Sequence, residues 1–138
     1  MPHLTIEYSA NLRDSGEWAS LCRKLAGVLA SREQAGRPVF PLGGIRVRAL
    51  AAPDWCIGDG SLADAAFVHL RLMIGAGRAE PVKRETGDAL FAVVREHFAQ
   101  AFESRGLALS LEIGEFSEAG TWKHNNLHDR YRAARLPG

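Results

Sequence analysis

The sequence has little of what marks several large classes of protein. Its two cysteines, Cys22 and Cys56, form neither a CxxC pair nor a disulfide framework. No apolar run approaches the roughly 18 residues of a membrane span, and no basic leader with an apolar core precedes the first strand pattern. We therefore expect free thiols in a reducing cytoplasm, with no secretion and no membrane insertion.

The chain also lacks an excess of either charge. It has 17 basic and 16 acidic residues, and its net charge of +1 provides no general attraction to nucleic acid or to an anionic membrane. At 138 residues the chain is long enough to bury a core of its own. We expect a single domain over residues 1–138 that binds neither nucleic acid nor membrane.

Catalytic and metal-binding motifs are sparse. The sequence shows no nucleophile elbow and no paired His/Asp constellation. His124 and His128 have the i,i+4 spacing of two metal ligands, but they lack a third ligand and a helical pattern around them. Gly75 and Gly77 precede a predicted helix as in a phosphate loop, but the third glycine position holds Glu80, whose charge opposes a pyrophosphate. We expect no metal and no cofactor.

A strand, helix and strand pattern is present, and it occurs twice. In the first unit, residues 3–8 alternate apolar and polar side chains as a strand does. Asp14 is a plausible N-cap with Glu17 at the capping-box position, and the helical apolar spacing that follows ends at about Arg32. After a glycine- and proline-rich loop, residues 45–50 resume the alternation.

The second unit follows a turn-rich connection at 53–60. A strand is predicted over 66–74, and a helix begins near Pro81 and ends before Gly106. A last strand is predicted over 107–113. The residues expected on the buried side of this helix are Leu90, Phe91, Val94, Phe98, Ala101 and Phe102.

Two such units predict an α+β fold. Helical crossovers join parallel strands, so we expect a four-stranded sheet with two helices on one face and repeat halves at about 2–52 and 65–116. Phe67 and Met73 lie on the other face, which we expect another copy of the chain to cover. The C-terminal tail, 117–138, is expected to pack on a neighbour, with its last arginines, Arg130, Arg132 and Arg135, in a solvated, frayed end.

The start of the chain is its most unusual stretch, because proline follows the initiator methionine. If Met1 is removed, Pro2 becomes a free secondary amine, whose pKa nearby cations or an apolar pocket lower by favouring the neutral form. The alternative is that Pro2 is a simple strand-start residue, where a missing N–H costs little. Arginines also stand at strand ends, and each is either a bidentate carboxylate ligand or a surface ion-pair partner. They are Arg46, Arg48 and Arg78.

Four stretches carry a resemblance to a known family. Segments 2–7, 40–48, 67–78 and 123–128 resemble the 5-carboxymethyl-2-hydroxymuconate isomerase family, which belongs to the tautomerase superfamily. The resemblance covers nearly the whole chain and implies a tautomerase-like homotrimer of β-α-β repeats with no cofactor. It also implies a keto-enol isomerase that acts on a small unsaturated 2-hydroxy di- or tricarboxylate in homoprotocatechuate (4-hydroxyphenylacetate) catabolism.

The resemblance also suggests roles for single residues. Pro2 matches the family's general base, and Arg46 and Arg78 match arginines that bind substrate carboxylates and stabilise the developing dienolate. Arg13, in an Asn-x-Arg turn, is a weaker substrate-binding candidate. The resemblance is loose over 50–67 and 114–122, which are therefore candidates for the lining of the pocket.

Chemistry supports the same roles, because a proton shift beside a carbonyl needs a base of near-neutral pKa and fixed cations. Two alternatives stay open at this point. One is a tautomerase homologue that acts on another 2-hydroxydienoate or unsaturated acid. The other is a trimeric binding protein that shares the fold without the chemistry.

Overall fold

Strands form where apolar residues recur at every second position, and helices form where they recur about every 3.6 positions. The computed structural model describes residues 1–136. In chain order the elements are β1 (His3–Ser9), α1 (Trp18–Ser31), β2 (Glu33–Gln34), β3 (Arg37–Pro38), β4 (Arg46–Ala52), β5 (Ala66–Gly75), α2 (Glu80–His97), α3 (Ala99–Ser104), β6 (Leu107–Phe116) and α4 (Leu127–Arg135). Short 3-10 turns cover Ala10–Leu12 and Leu42–Gly44.

Four strands form the main sheet in the order β4-β1-β5-β6. β1 is parallel to β4 and β5 is parallel to β6, whereas the central pair, β1 and β5, is antiparallel. The α+β fold and the four-stranded sheet are therefore confirmed. The antiparallel centre has one further consequence, since it puts the start of β1 beside the end of β5. His3 lies opposite Arg46 on one side and opposite Met73 on the other.

Both long helices cover the same face of the sheet, as predicted. Leu21, Leu25 and Leu29 of α1 and Leu90 and Val94 of α2 are buried in one cluster with the inward side chains of the strands. Full burial of one such side chain stabilises the fold by about 1.5–3 kcal/mol. The inward side chains of the central strands are Leu4, Ile6, Tyr8, Val68, Leu70, Leu72 and Ile74.

No helix of residues 1–136 covers the other face of the sheet. Phe67 and Met73 are half-buried there, and His69 contacts Ser110 and Glu112 at 2.7 and 3.2 Å. Leu50 is 52% exposed. A second copy of the chain on this face stays a prediction.

The predicted start of the first helix is wrong. The helix begins at Trp18, and Glu17 precedes it in the left-handed region with a φ of 50°, without a capping side chain. Trp18 stacks on Tyr8 with ring centroids 3.7 Å apart, and its indole N–H donates to the Leu12 carbonyl at 3.2 Å. The capping pattern at Asp14 did not predict this packing of Trp18, the residue at which the helix begins.

The second helix is interrupted at Phe98, which adopts a non-helical backbone with φ −105° and ψ 18°. Phe98 itself is buried, at 4% exposure, as the apolar pattern predicted. The chain continues beyond this interruption as α3, in which Phe102 is 60% exposed. The prediction that Phe102 is buried is therefore wrong for the single chain.

The tail contains a helix that the sequence did not predict. α4 packs on the Leu42–Gly44 turn of its own chain, where a Cβ on Gly43 would lie 2.6 Å from the His128 backbone nitrogen. The last arginines are exposed to solvent, as predicted, but the prediction of a frayed end is wrong, since they belong to α4. Residues 137–138 of the predicted tail lie outside the described residues. Within residues 1–136, each helix is too short or too polar to cross a membrane.

Candidate active site

The N-terminus of the chain lies at one end of the sheet, which we call the Pro2 end. Pro2 is buried, and its carbonyl accepts a hydrogen bond from the Arg46 backbone N–H at 3.0 Å. A Cβ on Gly44 would lie 3.2 Å from the Met1 Cα and 3.6 Å from the Pro2 Cδ. Glycine at this position therefore lets the N-terminus approach the turn that leads into β4.

Arg46 is the first residue of β4 and is half-buried. Its Nη1 donates to the Gly43 carbonyl at 2.9 Å, and the Asn125 amide of the tail donates to the same carbonyl at 3.1 Å. The guanidinium carries five N–H donors, of which this bond uses one. Arg46 is thus held by a neutral group and keeps both its charge and donors for a ligand.

Arg78 follows β5 through a turn in which Gly77 has a φ of 110°. Its two Nη atoms donate to the carbonyls of Gly75 and Val39 at 3.2 and 3.1 Å. Its guanidinium carbon lies 4.9 Å from the ring centroid of Phe40, close enough for a cation–π contact. Three separate contacts therefore fix the direction of this side chain.

Neither arginine is neutralised by a carboxylate within residues 1–136. Elsewhere arginines do form ion pairs, such as Arg32 with Glu85 at 3.4 Å. Two half-buried cations held by carbonyls are the arrangement that binds an anion, because their charge stays available.

The tail adds a third cation that sequence reasoning did not single out. The Lys123 Nζ lies 2.7 Å from the Glu118 Oε2 and 5.9 Å from the ring centroid of Phe116. The Glu118 Oε1 comes within 3.1 Å of a Cβ position on Gly75, at the end of β5. Lys123 opens a segment that carries the family resemblance, but a single lysine in a polar stretch gives no signal of its own.

The electrostatics of the Pro2 end favour a neutral amine. With Met1 attached the Pro2 nitrogen is a tertiary amide, so the Met1 α-amine stands in for the amine of the processed chain. Burial lowers the pKa of the Met1 amine first, Arg78, Lys123 and Arg46 lower it further, and Glu118 opposes them. An amine in this position can accept a proton near neutral pH, with cations ready to stabilise the conjugate anion.

Arg13 lies elsewhere in the chain. It is exposed and follows the 3-10 turn after β1, whose seven residues span about 23 Å. Within one chain, Arg13 is therefore not brought together with Pro2, Arg46 and Arg78. Asn11, in the same turn, donates to the Ala65 carbonyl at 2.9 Å, so this end also holds the connection before β5. Of the two loosely matching segments, 114–122 reaches the Pro2 end and 50–67 reaches the opposite end.

The remaining candidates take other positions. His128 is half-buried against Gly43, whereas His124 is exposed. No group of three His, Cys, Asp or Glu side chains in the described part of the chain is arranged to hold a metal ion. A groove of about 600 Å³ lies along α2, α3 and β6, lined by Phe91, Phe102 and Leu109 among others, and it includes none of the predicted site residues.

Comparisons with known proteins agree with this geometry. The model of the family "5-carboxymethyl-2-hydroxymuconate isomerase" matches residues 2–131. The 5-carboxymethyl-2-hydroxymuconate Delta-isomerase of Escherichia coli is 39% identical over 132 residues, with 96% of this chain and 100% of that protein covered.

Solved structures give the same result. The crystal structure of a 5-carboxymethyl-2-hydroxymuconate isomerase from Deinococcus radiodurans R1 superposes with a TM-score of 0.87 at 57% identity, covering 95% of this chain and 94% of that chain. Native fused 4-OT, at 19% identity and a TM-score of 0.61 over 93% of this chain and 97% of that chain, shares the fold alone. The tautomerase-like fold is confirmed, and the chain belongs to the 5-carboxymethyl-2-hydroxymuconate isomerase family and is an isomerase.

Proposed function

We propose that this isomerase converts 5-carboxymethyl-2-hydroxymuconate to its 2-oxo-ene isomer by proton transfer through Pro2, after Met1 has been removed. One observation carries the proposal. Pro2, Arg46 and Arg78 are far apart in the sequence, yet they meet at one end of the sheet, and the two arginines have no carboxylate partner within the described residues. The substrate follows the names of the family and of the Escherichia coli relative.

The proposed reaction moves one proton and needs no oxidant. The neutral Pro2 amine removes the proton of the 2-hydroxyl group, and the negative charge spreads over the dienolate. The protonated amine then gives the proton to a carbon of the chain, the double bonds shift, and the 2-oxo group forms. Arg46 and Arg78 bind substrate carboxylates and stabilise the dienolate oxygen as its charge develops.

The arginines act on the base as well as on the substrate. Burial and neighbouring cations lower the pKa of the N-terminal amine, so a larger fraction of it is neutral near pH 7. The same cations stabilise the anion that the proton transfer creates. Removing one arginine is therefore expected to weaken substrate binding and to raise the pKa of the base.

We further propose that the chain is a single domain that works as a cytoplasmic homotrimer. The helix-free face carries half-buried Phe67 and Met73 and the exposed Leu50, an apolar surface that another copy can cover. Because Arg13 lies about one strand length from Pro2 in its own chain, we assign Arg13 to the site of a neighbouring copy.

Two measurements test the catalytic proposal together. Intact mass shows whether Met1 is absent, and turnover is then measured with 5-carboxymethyl-2-hydroxymuconate, other 2-hydroxydienoates and halogenated acrylates. We expect processed protein to be active, with the carboxymethyl acid as the best substrate. Equal activity of protein that keeps Met1 contradicts the role of Pro2, and a better substrate elsewhere in the panel contradicts the substrate.

Mixing inactive variants tests the trimer and the role of Arg13. Pro2→Ala and Arg13→Gln proteins are unfolded together, refolded as a mixture and compared with each protein refolded alone. Mixed trimers contain sites with an intact Pro2 and an intact Arg13 from different copies, so we expect activity above the average of the two. Activity equal to that average, or a monomer by light scattering, contradicts the assignment.

A further inference from the structure

Residues 117–126 form an outer wall at the Pro2 end, with an internal turn near its start and a contact with the Leu42–Gly44 turn near its end. The Thr121 hydroxyl donates to the Ser117 carbonyl at 2.6 Å, which closes a turn. At the other end, the Asn125 amide donates to the Gly43 carbonyl at 3.1 Å. Asn125 therefore ties the wall to the turn that supports Arg46.

Lys123 projects from this wall toward the same region as the arginines. Its Nζ is bound by Glu118 at 2.7 Å, and its side chain is 35% exposed, so that a ligand can reach the ammonium group. Its charge acts on the Met1 amine together with those of Arg78 and Arg46. Three cations therefore lower the pKa of the terminal amine beside Pro2.

Among the described charged groups that act on the Met1 amine, Glu118 is the one carboxylate. Its Oε1 and the Arg78 Nη1 both lie close to a Cβ position on Gly75, at 3.1 and 3.7 Å. The hydrogen bond from Lys123 lowers the pKa of Glu118, which is therefore ionised near neutral pH. Lys123, the third cation, is thus paired with Glu118, a carboxylate of the protein itself.

The substrate proposed above matches this number of cations, and the inference rests on that proposed function. Muconate is a dicarboxylate, and the 5-carboxymethyl group adds a third carboxylate to it. Arg46 and Arg78 are held by carbonyls and are ready for two of the three. The third cation at this end is Lys123, with Glu118 in the place that a substrate carboxylate would take.

We propose that Lys123 binds the third carboxylate of the substrate in exchange for Glu118, and so selects tricarboxylates over dicarboxylates. The exchange balances in charge, because the ammonium group gives up one carboxylate partner and gains another. Glu118, which is exposed apart from this contact, turns to solvent. An acid without a third carboxylate leaves the Lys123–Glu118 pair in place and gains no contact with Lys123.

The first test compares two substrates in Lys123→Met. For 5-carboxymethyl-2-hydroxymuconate we expect KM to rise by about tenfold to a hundredfold, the usual effect of losing a hydrogen bond to a charged group. For 2-hydroxymuconate we expect KM to change by less than about threefold, and Lys123→Arg restores the tricarboxylate KM in large part. Lys24→Met, on the outer side of α1, is the matched control. An equal rise in KM for both acids overturns the proposal.

The second test is Glu118→Gln, which frees Lys123. We expect a lower KM for the tricarboxylate, and the acid limb of the kcat/KM profile moves to lower pH because Glu118 raises the pKa of the amine. A higher KM for the tricarboxylate contradicts the exchange of Glu118 for the substrate.

A binding measurement separates failure of this inference from failure of the proposed reaction. Calorimetry compares 2-(carboxymethyl)hexanedioate with hexanedioate, two saturated acids that lack the double bonds shifted in the proposed reaction. We expect the wild type to prefer the tricarboxylate and Lys123→Met to lose that preference, whatever the turnover assays give. If the preference persists in Lys123→Met, the inference is wrong even if the enzyme is active.

Discussion

The two ends of the sheet use polar side chains in different ways. At the end opposite Pro2, Arg105 donates twice to the Asp64 carbonyl, at 2.9 and 2.7 Å, and Asn11 donates to the Ala65 carbonyl. These bonds hold the connection between β4 and β5. At the Pro2 end, arginines also bind carbonyls, but they converge on the chain terminus from separate turns.

The difference lies in which groups meet after those bonds are made. Arg46 and Arg78 lie beside a buried terminus, and neither forms an ion pair within residues 1–136. Arg105 also lacks an ion-pair partner there, but together with the neutral Asn11 it fastens a surface connection away from the terminus. An arginine on a carbonyl is therefore not evidence of a ligand site by itself. A site is indicated when several such cations meet at a terminal amine on which, among the described carboxylates, Glu118 alone acts.

Among the substitutions, removal of the base Pro2 should have the largest effect on kcat. Pro2→Ala replaces the secondary amine, and we expect kcat to fall by about 10²–10⁴-fold, the usual contribution of a positioned proton-transfer group. Pro53→Ala is the matched control, because Pro53 is exposed at the opposite end. Steady-state kinetics on protein of verified mass provides the measurement, and equal kcat values for the two variants refute the contrast between the ends.

Arginine substitutions at the two ends of the sheet test the same contrast. We expect Arg46→Gln and Arg78→Gln to lower kcat/KM by about 10- to 10³-fold, since each removes a fixed cation from the developing charge. Arg105→Gln should leave kcat/KM within about threefold and lower the free energy of unfolding by about 1 kcal/mol, the value of a typical hydrogen bond. Urea denaturation and kinetics on all three distinguish the roles. The comparison fails if Arg105→Gln is the variant that loses activity.

Gly43→Ala should have a smaller effect, through the tail. The new Cβ would lie 2.6 Å from the backbone nitrogen of His128, so α4 must move away from the turn that supports Arg46. We expect a rise in KM of about tenfold and faster tryptic cleavage within α4. Gly27→Ala is the matched control, because no described atom beyond its chain neighbours and its own helix backbone lies within 4 Å of the Cβ position, and alanine favours the helix. Unchanged cleavage in Gly43→Ala shows that the tail tolerates the methyl group.

Arg48→Gln should have the smallest effect. Burial lowers the pKa of His3 first, and Arg48, 3.2 Å from the ring, lowers it next. The folded state therefore holds fewer protons than the unfolded state, so this contribution to stability is present above pH 6.5, the ordinary value, and is lost as the pH falls through the lowered pKa. In Arg48→Gln the pKa of His3, followed by NMR titration, should rise. No change contradicts the electrostatic cause.

The alternation of residues made most of the fold predictable. Residues 66–74 show it most clearly, and they form the strand that was expected, as part of β5. The pairing of β1 with β5 could not be predicted, because it joins the two halves and depends on no local pattern. That pairing brings Arg78 to Pro2. Each residue could therefore be suspected from the sequence, but their proximity could not.

The tail was the least predictable part of the site. α4 has few apolar residues, and its Leu127 and Tyr131 are 41% and 45% exposed. The helix therefore shows no apolar spacing from which it could be predicted. Its position depends on a methyl-free surface at Gly43, which is visible once the chain is folded. Lys123 and Glu118 were missed for the same reason, because their meeting depends on that fold.

The most direct test of the central claim is a ¹⁵N NMR titration of the Pro2 nitrogen in protein that lacks Met1. The surroundings of the terminus predict a pKa below the roughly 7.7–8.0 of an ordinary α-amino group, because burial and three cations outweigh Glu118. A pKa at or above that range, in protein that folds normally, contradicts the assignment of the Pro2 end as the catalytic end.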